Sequence, residues 1–196
     1  MTCSPSLITR TPARCGWPAP RRAAGWRLTP PWPPRRVAGL AVMGTAASGA
    51  PEPELDADTR RLDLLLDKAY AARDADEINR LETWLRLDGP SQPEGRVSGA
   101  ARELALEMNA VITANGEAEA DGACGVDARH RLAEITVPVT VACGDLNVPF
   151  TADRCRQLAG RLPAARHVVL AGMAHQPYLE SASTVAQLIR SAVTGG

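Results

Sequence analysis

The sequence predicts an α/β fold built on a short parallel sheet of about three strands. Three observations carry the prediction. "RRVAGLAVMG" (35–44), "ITVPVTVACG" (135–144) and "HVVLAG" (167–172) are short apolar runs that close on glycine. Strands buried on both faces of a parallel sheet read as continuous apolar runs, because neither face meets water. The last two alternate with amphipathic segments in the order strand, helix, strand, helix, which is the order of a parallel α/β unit.

The elements follow in chain order. Residues 1–34 show neither a two-residue nor a 3.6-residue period. They hold eight of the sixteen prolines, too many for a helix or a sheet ladder, so a disordered or irregular segment is expected. The apolar run at 35–44 is the first strand. Between about 55 and 116 the pattern is helical. "LDLLLDKAYAARD" places Leu62, Leu65, Leu66 and Ala69 on one face, and "DEINRLETWLRLDGP" does the same with Ile78, Leu81, Trp84 and Leu85 before stopping at Gly89-Pro90. "SGAARELALEMNAVITANG" is a third helix, with Ser98 as expected N-cap and Gly116 near its end. "EAEADGACGVDARHR" is a polar connector. "ITVPVTVACG" is the second strand, "TADRCRQLAGRL" a helix with Thr151 as its expected cap, and "HVVLAG" a third, buried strand. "SASTVAQLIRSAV" closes the chain with Val185, Leu188, Ile189 and Ala192 on one face.

Composition narrows the class. The formal charge is zero over 196 residues, and no apolar run approaches the ~18 residues that cross a bilayer, so neither nucleic acid nor a membrane is expected as a partner. The balance hides an asymmetry: residues 1–50 contain seven arginines and no carboxylate, and the rest carries the opposite excess. The five cysteines, at 3, 15, 124, 143 and 155, are odd in number and form no CxxC pair, so neither a metal site nor a disulfide framework is predicted. A reducing cytoplasm fits that usage. No cofactor is expected.

Chemistry on parallel sheets gathers beyond the carboxyl ends of the strands. Two loops occupy that place here. "CGDLNVPF" (143–150) offers Asp145 and Asn147, and "AGMAHQP" (171–177) offers His175. A carboxylate facing an imidazole across neighbouring strand ends is the way a catalytic triad orients its base. His130 and His167 have no such setting and are expected at the surface. Trp84 lies on a helical face and is expected to pack.

At these residues the chain resembles α/β-hydrolase fold proteins. "RLAEITVPVTVACGDLNVPF", "LPAARHVVLAGMAHQPYLE" and "VAQLI" are similar to that family's C-terminal part. There a strand leads to Gly-x-x-Asp, the triad acid, and a later strand to the triad histidine. The resemblance implies an incomplete α/β-hydrolase-like sheet over 35–196, with 55–116 as the inserted helical cap. It makes His175 the base and Glu180 the acidic residue that often follows it. The implied activity is serine-type hydrolysis of an ester or similar acyl bond in a small molecule.

The departures are chemical. The Gly-x-Ser-x-Gly nucleophile elbow occurs nowhere in the chain. The acid position of Gly144-Asp145-Leu146-Asn147 holds an asparagine, which cannot stabilise an imidazolium by charge. In the serine-protease template the equivalent change lowers kcat about 10⁴-fold. Asp145, two residues away, is the one substitute in reach. The expectation is a protein with a degenerate triad, inactive as written; the alternative is a non-enzymatic interaction module or a non-functional truncated product. If the codons of "TPPWPP" (29–34) end in G, a one-base shift turns them into Asp-Ala-Ala-Val-Ala-Ala, a good helix former, so residues 1–34 are expected to be out of frame or from a wrong start. Arg35-Arg36 before "VAGLAVMGTAASGA" also resembles a twin-arginine export signal, although the run fits a strand better. An unpaired edge on the first strand is expected to favour self-association.

Overall fold

A computed structural model describes residues 8–11, 25–28, 37–50, 53–114 and 128–194. Three parallel strands, β3 (Leu40–Met43), β5 (Val139–Gly144) and β6 (Ala165–Leu170), form the sheet in the order β3-β5-β6. Leu40 pairs with Val139 and Met43 with Ala142; on the other side Val139 pairs with Ala165 and Gly144 with Leu170. A second sheet joins β1 (Ile8–Thr11), β2 (Gly25–Leu28) and β4 (Ala46–Ala47). β1 and β2 fall in the segment where the sequence predicts no regular element.

The centre of the main sheet explains its composition. All six residues of β5 are buried. Val139, Val141 and Cys143 point to one face, where they meet Cys155, Leu158 and Leu162 of helix α4 (Pro149–Arg161) and its end. Ala142 points to the other, against Leu170 and Leu188 of helix α6 (Ala182–Thr194). Period-2 geometry sends neighbours to opposite faces, and each face has its own helix, so every position must be apolar or paired. Thr140 meets that demand by accepting from Arg166 Nε at 2.9 Å. Each large aliphatic side chain buried here contributes about 1.5–3 kcal/mol.

β6 corrects the sequence reading. It lies at the sheet edge, Val169 is 58% exposed, and only Leu170 of the strand is buried. An apolar run identifies a strand without revealing whether it has one neighbour or two. Three further expectations shift. α4 begins at Pro149, with Val148 as N-cap, instead of after Thr151; proline suits the first turn, where its missing N–H has no partner to lose. Helix α3 (Ala100–Ala114) starts from Gly99, whose carbonyl accepts from Glu103 N–H, so Ser98 is not its cap. Ile189 is exposed, while Val185 and Leu188 carry the buried face of α6. Gly116 and most of the connector, 117–127, lie outside the described residues, as do Cys3, Cys15 and Cys124.

Between β4 and β5 the chain makes a helical layer. α1 (Ala57–Ala72) is capped by Asp56, whose Oδ1 accepts from Asp58 and Thr59 N–H. α2 (Ala75–Thr83) is capped by Asp74, accepting from Glu77 N–H at 3.0 Å, and runs into one π-helical turn, Trp84–Asp88. Leu62, Leu66 and Ala69 pack on Ile78, Leu81 and Leu85 as their spacing predicts. Val148 joins this cluster from the loop after β5, so the helical layer is seated over the strand-end loops. α5 (Pro177–Glu180) is a single turn before α6.

Candidate active site

Two strand-end loops and the π-helical turn build the site. β5 and β6 are hydrogen-bonded neighbours, so their following loops emerge side by side. Gly144 closes β5 under the histidine loop: a Cβ there would sit 2.0 Å from Met173 O and 2.4 Å from Ala174 O. Only a glycine admits that approach. Leu146 N–H then donates to Met173 O at 3.0 Å, locking loop to loop.

The structure brings His175 and Asn147 together. Asn147 Nδ2 lies 3.3 Å from His175 Nδ1 and 3.3 Å from Cys143 Sγ, and its Oδ1 accepts Val148 N–H at 2.8 Å. A backbone N–H can only donate, so the atom facing Val148 is the oxygen and the amide nitrogen faces the ring. A primary amide can only donate through that nitrogen. Nδ1 is therefore the acceptor, and the ring proton is on Nε2. A triad base needs the opposite tautomer, with Nδ1–H held by a carboxylate and the Nε2 lone pair free for the nucleophile's proton.

Electrostatics point the same way. Burial of the ring, reinforced by the Arg86 guanidinium, lowers the His175 pKa from 6.5 to about 4. The imidazolium that base catalysis creates is disfavoured twice over, by desolvation and by a like charge. Arg86 itself is held in its charged form chiefly by Glu82, to which its Nε donates at 2.7 Å.

Asp145 is turned to the backbone of the neighbouring loop. Its Oδ1 accepts Gly172 N–H at 2.7 Å, bracing the base of the histidine loop, and among the described residues it makes no hydrogen bond to the imidazole. Two residues along a tight turn point in different directions, so sequence proximity does not make the substitution. Glu180 is also structural in its contacts: Oε1 accepts Ala174 N–H at 2.6 Å and Oε2 accepts from Arg96. His130 and His167 are exposed. Trp84 packs on the helical layer and donates Nε1–H to Gln92 O.

Sequence reasoning missed several neighbours. Gly44, read only as the end of a strand, adopts φ +55°, and a Cβ there would lie 3.0 Å from His175 Nδ1. Arg86 reaches the site through the π-helical turn, and its carbonyl accepts His175 N–H at 3.0 Å. Cys143 and Cys155 are free, buried and adjacent; the hydrogen bond between them lowers the Cys143 pKa and raises that of Cys155. Among the described residues no cluster of His, Cys, Asp and Glu is arranged to hold a metal, and no helix is long and apolar enough to cross a membrane.

A short parallel sheet with a histidine on one strand-end loop, a side-chain amide on the next and a helical layer above them is the frame of an α/β hydrolase. Comparison with known proteins agrees. The chain is 30% identical over 132 residues to pimeloyl-[acyl-carrier protein] methyl ester esterase of Neisseria meningitidis serogroup B, covering 67% of this chain and 50% of that protein. A thermophilic esterase from Thermogutta terrifontis superposes with a TM-score of 0.52 at 21% identity, over 81% of this chain and 56% of that one. The 2-hydroxy-6-oxo-6-phenylhexa-2,4-dienoate hydrolase of Rhodococcus sp. strain RHA1 gives 0.54 at 20% identity, over 81% and 56%. No family model matches. The chain is an α/β-hydrolase-fold protein, and it spans about half the length of the curated relatives it matches.

Proposed function

We propose that this chain descends from a serine-type hydrolase of acyl esters and that, as written, it does not turn esters over. One observation carries the reading: the group facing His175 Nδ1 is the amide nitrogen of Asn147, which selects the tautomer that cannot act as base at Nε2. The absence of a Gly-x-Ser-x-Gly motif in the chain supports it, as does the absence of any hydroxyl hydrogen-bonded to His175 among the described residues. The curated relatives are named for a methyl ester on an acyl carrier, so a small acyl methyl ester is the ancestral substrate we favour. In this reading the region 55–116 is the cap that shaped its pocket, and free Cys143 and Cys155 suit a cytoplasmic setting.

A second reading has its own observation. Leu104, Met108 and Ile112 are exposed along one side of α3, at helical spacing, and such stripes mark protein contacts. It makes the chain a non-enzymatic interaction module.

Hydrolysis of p-nitrophenyl butyrate and of a pimelate monomethyl ester tests the inactive reading. We expect the chain and its His175→Ala variant to match the buffer rate. Turnover that disappears in His175→Ala would overturn the inactive reading and restore the enzyme.

A further inference from the structure

The backbone of the histidine loop is tied to the helical layer by the His175 N–H bond to Arg86 O and, further along the loop, by one side chain. Arg96 lies in the connection between the π-helical turn and α3. Its Nε donates to Asp88 O at 2.8 Å and its Nη2 to Leu87 O at 2.7 Å, both on the layer. Across the gap, Nη1 donates to Gly172 O at 3.0 Å and Nη2 to Glu180 Oε2 at 2.5 Å, with 76 and 84 residues of sequence between the partners. The second Glu180 oxygen accepts Ala174 N–H, the amide immediately before His175. The side chains are 19% and 6% exposed, so water competes poorly for either partner. The anchoring end is equally built: Asp88, fully buried, accepts Gly95 and Val97 N–H and an Arg102 Nη1–H, which fixes the turn that presents Arg96.

We propose that Arg96 and Glu180 form a clasp that makes the 88–97 connection and the 172–175 loop one mechanical unit, so that Arg96 is a positioning residue for His175. A planar guanidinium donates along several fixed directions at once, which a lysine ammonium on a flexible stem does not reproduce. Among the described residues no carboxylate is hydrogen-bonded to the His175 ring, so the ring is held by the Asn147 contact and by its backbone, which the Arg86 carbonyl and the clasp set together. With the clasp open, the His175 N–H bond to Arg86 O still joins loop and layer, but the loop on either side of it is released and water reaches the ring. The inference concerns the same histidine as the proposed function, but it does not rest on catalysis, and its test reads the ring and the amides instead of turnover.

The test is NMR on the full chain with labelled histidine. Arg96→Lys and Glu180→Gln are each expected to move the His175 titration midpoint upward by roughly one pH unit toward the solvated value, because desolvation is relieved. The double variant should add little to either single one, since both break the same link. A merely structural loss would lower the melting temperature and leave the His175 midpoint of the folded protein unchanged; that result overturns the proposal. If neither variant folds, amide exchange on the unmodified chain decides. Under the proposal Gly95 and Val97 exchange through the same opening as Ala174 and His175, with matching denaturant dependence. Opening of the 88–97 connection alone, with the histidine loop still protected, overturns it.

Discussion

His175 shows how a ring's surroundings decide its chemistry. Its folded pKa of about 4 lies below the 6.5 of an ordinary histidine, so between those values the unfolded chain binds a proton that the native state refuses. Stability therefore falls as the pH drops from about 6.5 to about 4, by about 3 kcal/mol from this group. Urea midpoints of the chain and of His175→Asn across that window should diverge, the variant losing less at low pH. Asn147→Asp tests the other half of the site. A carboxylate at that position favours the imidazolium and draws the proton to Nδ1, so the His175 midpoint should rise by roughly one to three pH units in an NMR titration. Ester turnover should not return with it, because an oriented base without an activated hydroxyl has nothing to deprotonate.

Among elements, the strand ends and the π-helical turn concentrate the constraint. Gly144→Ala would drive a methyl group into Met173 O and Ala174 O, both backbone atoms that cannot swing aside. We expect a loss of about 3 kcal/mol or more, seen as collapse of the thermal transition. Asp88→Ala would remove the fully buried carboxylate, leaving the Gly95 and Val97 amides without their acceptor and the half-buried Arg102 cation with Glu94 as its remaining carboxylate. Removing one partner of a buried pair costs about 3–5 kcal/mol, which a urea melt measures directly. Much of this level was legible in the sequence. The faces Leu62–Leu66–Ala69 and Ile78–Leu81–Leu85 pack as spaced, and β5 is as buried as its composition requires. The starts of α3 and α4 were not, because Ser98 and Thr151 are favoured N-cap types, whereas α3 begins beyond Gly99 and α4 at Pro149, which suits a first turn.

In the molecule as a whole, β3 pairs with β5 along one side, and among the described residues no strand pairs with the other. The exposed leucine, methionine and isoleucine of α3 add apolar surface. An open strand edge offers unpaired N–H and C=O groups to a second chain. Size-exclusion chromatography over a rising concentration series should therefore show association. A monomer at every concentration, with a single sharp thermal transition, would remove this expectation.

The sequence alone determined the α/β class, the three strands of the main sheet, the helical layer and the two loops that carry Asp145, Asn147 and His175, because periodicity and strand-end position are local properties of the chain. Tertiary structure alone decided which polar atom faces the imidazole, that Asp145 braces a backbone amide instead, that β6 is an edge, and that Arg96 reaches Glu180. Those outcomes depend on directions and distances between segments up to 84 residues apart, and no local pattern encodes them.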